Sequence, residues 1–214
     1  MAARRRRLLL GSLLLGPLAL PACGRERSSE SGAAQRAHVD SVVASGGRVD
    51  SALPAGEPLR RFREAAGPDP DTLAHAAPSP DALVRQWAAA VSRSDTTALR
   101  QLLLDRREFA WLVYPGLRLS QPPYEMPPGL LWSQLIANSD DGLRAVLRRA
   151  GGATLRLRAL HCPTPPDTQG RAIVLAGCLV RVAVGADTLP EGRWFGSIVQ
   201  VGGRHKFVGY GNDL

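Results

Sequence analysis

The chain has 214 residues, a formal charge of +8 at pH 7 and a hydrophobic content of 44%, which is enough for a packed core. Its excess of positive charge comes from arginine, because Lys206 is the only lysine. Beyond the N-terminal arginine run, no cluster of basic residues is interleaved with aromatic side chains. We therefore expect no nucleic-acid partner.

Residues 1–22 have the three-part pattern of an export signal. Arg4–Arg7 are basic, positions 8–20 form an apolar run, and Pro21 and Ala22 follow. A membrane-spanning helix needs ~20 apolar residues, so this shorter run fits the central part of a signal peptide instead. Removing residues 1–22 takes away four arginines and no acid, and the charge falls from +8 to +4. The sequence predicts a cleaved signal peptide.

The end of this segment, Leu20-Pro21-Ala22-Cys23, resembles the lipobox of bacterial lipoproteins. In that family the cysteine sulfur receives a diacylglycerol, cleavage follows the small residue, and the new amino group is acylated. The resemblance implies that Cys23 anchors the chain by acyl chains in the bacterial cell envelope, facing the periplasm. Gly24 is not the aspartate that retains lipoproteins in the inner membrane of enteric bacteria, which favours the outer membrane.

Residues 23–78 are predicted to be a largely disordered tether. Positions 24–78 hold only eight Val, Leu, Ile or Phe, which bury too little apolar surface to offset the ordering entropy of the chain. Within them "GEPLRRFREAAG" indicates a short helix at 57–66, with Pro58 in the first turn and Gly67 as the stop. Two alternatives stay open: the helix docks on the domain, or it forms only transiently.

From Ser79 onwards the pattern becomes helical. Ser79-Pro80-Asp81 supplies an N-cap, a first-turn proline and an acidic first turn. A second helix is expected to begin at Asp95 or Thr96 and to run through Leu103. A third is expected over 130–149, with "NSDDG" as a weak point. Apolar side chains at helical spacing mark the first of these helices: Leu83, Val84, Trp87 and Val91.

The C-terminal part of the chain, from position 153 onwards, favours strands. Residues 153–160 alternate apolar and polar side chains, and residues 172–184 form a long apolar, β-branched run. Two further strands flank Gly202-Gly203, a strong two-residue hairpin signal. Helices followed by antiparallel strands predict one α+β domain over 79–214, with the helices packed on one face of the sheet.

Cys162 and Cys178 form an even pair in an oxidising compartment once Cys23 carries lipid, so we expect a disulfide. A symmetric hairpin turning near Pro166 would set Cys162 opposite Arg171 instead. The disulfide therefore requires residues 163–177 to be mostly an irregular or bulged loop. The alternative is two buried free thiols.

The stretch "DALVRQWAAAVSRSDTTALRQLL" resembles the opening of the nuclear-transport-factor-two-like superfamily, which includes SnoaL-like and ketosteroid isomerase-like domains. "GSIVQVGGRHKFVGY" is similar to the last hairpin of that superfamily. The resemblance implies three N-terminal helices packed on a curved antiparallel sheet, in a cone-like, cystatin-like roll over 79–214. Such domains hold a hydrophobic pocket between helices and sheet.

Isomerase-like members of this superfamily use a tyrosine in the first helix and an aspartate base after the second. The matching positions here are Trp87 and Tyr114, and neither supplies that chemistry at neutral pH. Asp105 and Glu108 lie near the same region, where a solvated turn is favoured over a catalytic role. A candidate pocket is lined by five aromatic residues, although core packing alone would also explain them: Trp87, Trp111, Tyr114, Phe195 and Phe207.

No catalytic or metal-binding constellation stands out in the sequence. The four histidines have no metal-ligand spacing, and His205, next to the hairpin turn, is expected to be solvated. We expect no metal and no cofactor. The leading hypothesis is a non-catalytic domain that binds a small apolar ligand or an envelope protein. The alternative is a SnoaL-like enzyme acting on a small hydrophobic substrate.

Overall fold

The computed structural model describes residues 37–38, 40–46 and 56–214. The predicted signal peptide, the lipobox and Cys23 lie outside the described residues. Residues 40–44 are helical and belong to a separate unit, whereas the compact unit is Leu53–Leu214. Among the helices that the structure describes, none is both long and apolar enough to cross a membrane.

Helix α1, Glu57–Ala66, is docked on the compact unit. Its Phe62 is 6% exposed, and the ring meets that of Phe109 edge-on at 6.0 Å between centroids. Of the two alternatives for this segment, docking is therefore the one observed. The chain continues along the sheet edge, where Ala77 and His205 exchange two backbone hydrogen bonds of 3.0 and 2.9 Å. Backbone pairing thus holds a segment whose low apolar content had suggested a tether.

Three further α-helices carry most of the helical packing. They are α2, Pro80–Ser92, α3, Thr96–Gln101, and α5, Pro128–Ala150. Ser79 caps α2 by accepting a hydrogen bond from the Ala82 amide. Helix α5 runs unbroken through "NSDDG". A Cβ at Gly142 would overlap the Tyr210 carbonyl oxygen, so this glycine permits a close contact between the helix and the chain after the last strand.

Between α3 and α5 the chain forms short helical turns. Helix α4, Arg106–Glu108, continues into a π-helix over Phe109–Val113. Two 3₁₀ turns follow, at Tyr114–Gly116 and Arg118–Ser120. A capping box at Asp105 and Glu108 begins this run, because each side chain accepts a hydrogen bond from the other residue's backbone amide.

The strands form two antiparallel sheets, which confirms the α+β class. One sheet has the order β1-β4-β5 and the other β2-β3-β6-β7. Their bounds are β1 Leu155–His161, β2 Asp167–Gln169, β3 Ala172–Leu175, β4 Leu179–Val184, β5 Asp187–Thr188, β6 Ile198–Val201 and β7 Arg204–Phe207.

Strands β1 to β4 make one long hairpin that passes from the first sheet into the second and back. His161 pairs with Leu179 in one sheet, and Gln169 pairs with Ala172 in the other. The turn therefore lies at residues 170–171, where Gly170 has a φ of +63°. Residues 163–177, expected to be mostly an irregular or bulged loop, contain the paired strands β2 and β3, so this part of the chain is more regular than expected.

This register brings Cys162 and Cys178 directly opposite each other. Their Cα atoms are 4.0 Å apart and their sulfurs are bonded, which confirms the predicted disulfide. The bond lies where the hairpin leaves the first sheet. It ties together the two chain segments that cross between the sheets.

The four-stranded sheet is buried on both faces. Ile198 belongs to a core cluster that includes α2, whereas the next residue, Val199, belongs to a second cluster with Phe62 and Phe109. Because successive strand residues point to opposite faces, each cluster covers one face. The expectation that helices pack on one face only is wrong, since α1 and the π-helix cover the other.

Candidate functional site

Three of the five aromatic residues predicted to line a pocket lie in the first core cluster. Trp87, Phe195 and Phe207 are each 0% exposed. The Trp87 and Phe195 ring centroids are 5.6 Å apart, and those of Phe195 and Phe207 are 4.6 Å apart. These rings are in van der Waals contact and fill the space between α2 and the sheet. Core packing, the alternative interpretation, accounts for all three.

Tyr114 and Trp111 lie in the second cluster, on the other face of the sheet. The Tyr114 hydroxyl donates a 2.9 Å hydrogen bond to the Met126 carbonyl, and burial raises the pKa of this tyrosine. At neutral pH it is therefore even less ionised than an exposed tyrosine, and its hydroxyl does not serve as a base. The structure does not bring the five predicted residues together.

An ion pair between Glu108 and Lys206 is buried on the same side of the sheet as the second cluster. Glu108 is 0% and Lys206 is 2% exposed, and Lys206 Nζ lies 2.8 Å from Glu108 Oε2. The carboxylate also accepts hydrogen bonds from the Ala74 amide at 2.6 Å and the Asp105 amide at 2.9 Å. The interpretation of Glu108 as part of a solvated turn is therefore wrong.

The surroundings of Glu108 favour a structural role over a catalytic one. Its carboxylate already accepts three hydrogen bonds, one of them from a cation that neutralises its charge. A general base needs a free lone pair within reach of a substrate proton, and this carboxylate offers no exposed surface. The pair instead fastens three chain segments to one another, those at residue 74, at 105–108 and in β7. One signal in the sequence was the solitary lysine, which stands directly before a core phenylalanine in the last strand.

His205 is also buried, with 7% exposure, so the expectation of a solvated side chain is wrong. Its Nδ1 has no hydrogen-bond partner among the described residues. Desolvation by burial lowers the pKa of His205, and the positive charge of Arg204 acts in the same direction. The segment around Ala77 pairs with the backbone of His205 along the outer edge of β7.

Lowering the pH from 7 to 5 should reduce the free energy of unfolding. In the unfolded chain His205 takes up a proton near its ordinary pKa, whereas in the folded protein its lowered pKa delays protonation. Stability is therefore complete above the unfolded pKa and is lost as the pH falls towards the folded pKa. Urea unfolding at both pH values measures this loss.

Two variants show whether this loss of stability comes from His205 or from other titrating groups. His205→Gln should make the loss between pH 7 and pH 5 smaller, and His75→Asn, at an exposed histidine, is the matched control. An identical pH dependence in wild type and His205→Gln would contradict the assignment.

A surface groove lies beside α1 and is the first candidate binding site. It has a volume of about 740 Å³ and an apolar floor of Leu59, Pro68 and Trp111. The Arg63 guanidinium lies 4.2 Å over the Trp111 ring, and the Trp111 indole donates to the Gly67 carbonyl at 2.9 Å. Both side chains are thereby held in place at the floor of the groove. We call it the α1 groove.

Two other grooves differ in character. One lies between the start of α1 and residues 114–128, and five of its eleven lining residues are prolines. The other, near the last residues of the chain, is lined by Arg144, Arg148 and Arg193. Two of these arginines already pair with carboxylates, Arg144 with Asp141 and Arg193 with Asp213, so the groove has little free positive charge.

Within residues 56–214 and the short described stretch before them, no group of three His, Cys, Asp or Glu side chains could hold a metal ion.

Compared with known proteins, the chain matches no protein family, no curated protein and no solved structure at a significant level.

Proposed function

We propose that this protein is an exported lipoprotein, anchored through acyl chains on Cys23 in the cell envelope and facing the periplasm, with the outer membrane favoured. The lipobox-like Leu20-Pro21-Ala22-Cys23 directly after an apolar run supports the anchor. The Cys162–Cys178 disulfide supports an oxidising compartment, because such bonds form and persist mainly outside the reducing cytosol.

We propose further that the domain is a nuclear-transport-factor-two-like roll, with its N-terminal helices on a curved sheet. Helices α2 and α3 precede all the strands, as the resemblance implies. The β1–β4 hairpin belongs to both sheets, which is what a single, strongly curved sheet would require. The last hairpin turns at Gly202-Gly203, in agreement with the quoted stretch.

The proposed activity of the domain is non-catalytic binding at its surface. The observation that carries this proposal is the complete burial of Trp87, Phe195 and Phe207 between α2 and the sheet, where the resemblance implies a pocket. A small apolar ligand would need an enclosed pocket that covers most of its surface. The α1 groove is open, with Arg60 and Glu64 beside an apolar floor, and this combination suits a segment of a partner protein.

The SnoaL-like enzyme alternative finds less support. Trp87 and Tyr114 occupy the two positions that the isomerase-like relatives use for proton transfer. The indole of Trp87 is fully buried, and the hydroxyl of Tyr114 is engaged with a backbone carbonyl. Among the described residues Glu108 is the buried carboxylate, and Lys206 neutralises it.

In-cell photocross-linking tests the binding site. A photoreactive side chain at Leu59, in the α1 groove, should give a discrete adduct of higher mass, whereas one at the exposed Ala186 should not. Trp111→Ala should reduce the Leu59 adduct because it removes the floor of the groove. Equal labelling from both positions, or a Leu59 adduct that Trp111→Ala leaves unchanged, would exclude the α1 groove as the binding site.

Cys23→Ser tests the anchor. The variant should be released from the membrane fraction or remain unprocessed, since serine offers no sulfur for the diacylglycerol. Cell fractionation and the mass of the N-terminal peptide measure both outcomes. A Cys162→Ser variant is the matched control and should keep its acyl chains. Normal processing and acylation of Cys23→Ser would contradict the lipoprotein proposal.

A further inference from the structure

The segment before α5 and its first turn expose an unusual share of large apolar side chains. Leu119, Tyr124 and Leu130 are 42%, 62% and 46% exposed. In the rest of the described chain, the large apolar side chains with comparable exposure are Val43 and Leu214. Single exposed apolar residues are ordinary, whereas these three fall within residues 119–130 and concentrate exposed apolar surface in one short segment. We call these three residues the apolar patch.

Hydrogen bonds hold the backbone around the apolar patch in place. The Met126 amide donates to the Leu119 carbonyl at 2.8 Å and closes a loop around Tyr124. The Met126 carbonyl in turn accepts the Tyr114 hydroxyl, which ties this loop to the core. Gln121 adds a side-chain hydrogen bond to the Pro115 carbonyl at 3.0 Å. A surface fixed in this way loses little entropy when it binds.

The apolar patch lies next to the point where the chain enters the described compact unit. Gly56, Pro58 and Leu59 line one groove together with Gln121 and Glu125 of the patch segment. Positions 24–55 separate Cys23 from this point. Fully extended, they would span at most ~115 Å, so an anchor at Cys23 keeps this side of the domain within reach of the bilayer.

We propose that Leu119, Tyr124 and Leu130 dip into the lipid surface and give the domain a second, non-covalent membrane contact. This inference rests on the proposed lipid anchor. Tyrosine is favoured at the membrane–water interface, where its ring is apolar and its hydroxyl stays hydrated. The nearby Arg118 pairs with Asp167 at 2.7 Å, so its charge is partly compensated.

The covalent anchor decides between lipid and a dissolved protein as the occupant of the apolar patch. Three side chains bury too little surface for stable membrane binding on their own. Once the acyl chains hold the protein, contact with the same bilayer is intramolecular, so even a weak affinity is enough to populate it. A free protein partner would have to overcome the full entropy of association.

A spin label measures the contact directly. The acylated full chain carrying Tyr124→Cys is labelled and reconstituted into vesicles of phosphatidylethanolamine and phosphatidylglycerol. Cys162 and Cys178 are in a disulfide, so the introduced thiol is the reactive one. Ala186→Cys, in the exposed turn between β4 and β5, is the matched control. At position 124 the label should collide more often with oxygen than with a water-soluble nickel chelate, and at position 186 the order should be reversed.

The outcomes separate this inference from the proposed function. A water-exposed label at both positions on acylated protein overturns the membrane contact and leaves the anchor standing. A label at position 124 that is shielded in native envelopes but not in lipid vesicles also overturns it, in favour of a protein partner. A chain whose mass shows no acyl groups contradicts the anchor and this inference together.

Discussion

Replacing Lys206 with methionine is expected to lower the free energy of unfolding by about 3–5 kcal/mol, because it leaves the Glu108 carboxylate buried without its cation. Methionine has a similar length and fits an apolar surrounding, so the loss comes from the unpaired charge rather than from a cavity. Urea denaturation of the full chain at pH 7 measures the change. Glu108→Gln should also destabilise the fold, since it leaves the Lys206 ammonium unpaired.

An exposed ion pair of similar length supplies the matched control. Arg118 Nη2 lies 2.7 Å from Asp167 Oδ2, but the two side chains are 76% and 38% exposed. Breaking an exposed pair typically costs ~0–1 kcal/mol, so Arg118→Met should change stability far less than Lys206→Met does. Similar losses for the two variants would show that burial does not govern the energy of the Glu108–Lys206 pair.

A double-mutant cycle isolates the coupling between the two charges. The side chain introduced by Glu108→Gln keeps a carbonyl oxygen that can still accept from the Ala74 or the Asp105 amide. The double variant Glu108→Gln with Lys206→Met removes both charges and should be less destabilised than the sum of the two single variants. A strictly additive result would mean that the two side chains do not interact.

Much of the fold could be predicted because its signals are local. Ser79 and Asp95 cap helices just before the apolar spacing begins, and each accepts the expected amide hydrogen bond. The Gly202-Gly203 turn is likewise decided by the conformational freedom of two adjacent residues, both at positive φ. These features depend on a few neighbouring residues and need no knowledge of the rest of the chain.

The features that the sequence did not predict depend on distant partners. Burial of Glu108 requires Lys206, which is 98 positions away, and docking of Phe62 requires Phe109. The turn at residues 170–171 was not predicted because Gln169-Gly170-Arg171-Ala172 carries a single glycine between polar residues, which is a weak turn signal. The five aromatic residues of the candidate pocket lie in two different clusters, which could not be predicted because aromatic residues give the same sequence pattern in a core and around a ligand.

Loss of the Cys162–Cys178 disulfide is expected to destabilise the protein by about 3 kcal/mol, the chain-entropy value for closing a loop of about 15 residues. The bond links the two strands of the hairpin at the point where it passes between the two sheets. Its loss should therefore increase the mobility of β2 and β3 more than that of β1 and β4. Cys178 is 1% exposed and lies in the first core cluster, so valine is the replacement that best keeps its packing. Denaturation of the Cys162→Ala, Cys178→Val double variant measures the loss.

The same double variant shows whether a change in stability comes from the disulfide bond or from the two cysteine side chains. Treatment with a reductant should lower the stability of the wild type towards that of the double variant, and it should leave the double variant itself unchanged. In the double variant, exchange of backbone amide hydrogens should be faster in residues 167–175 than in residues 179–184. The reason is that the disulfide no longer links strands β2 and β3 to the first sheet. Two thiols that react with an alkylating agent in the native, unreduced protein would contradict the disulfide. A reductant effect of equal size in both proteins would show that the stability change does not come from this bond.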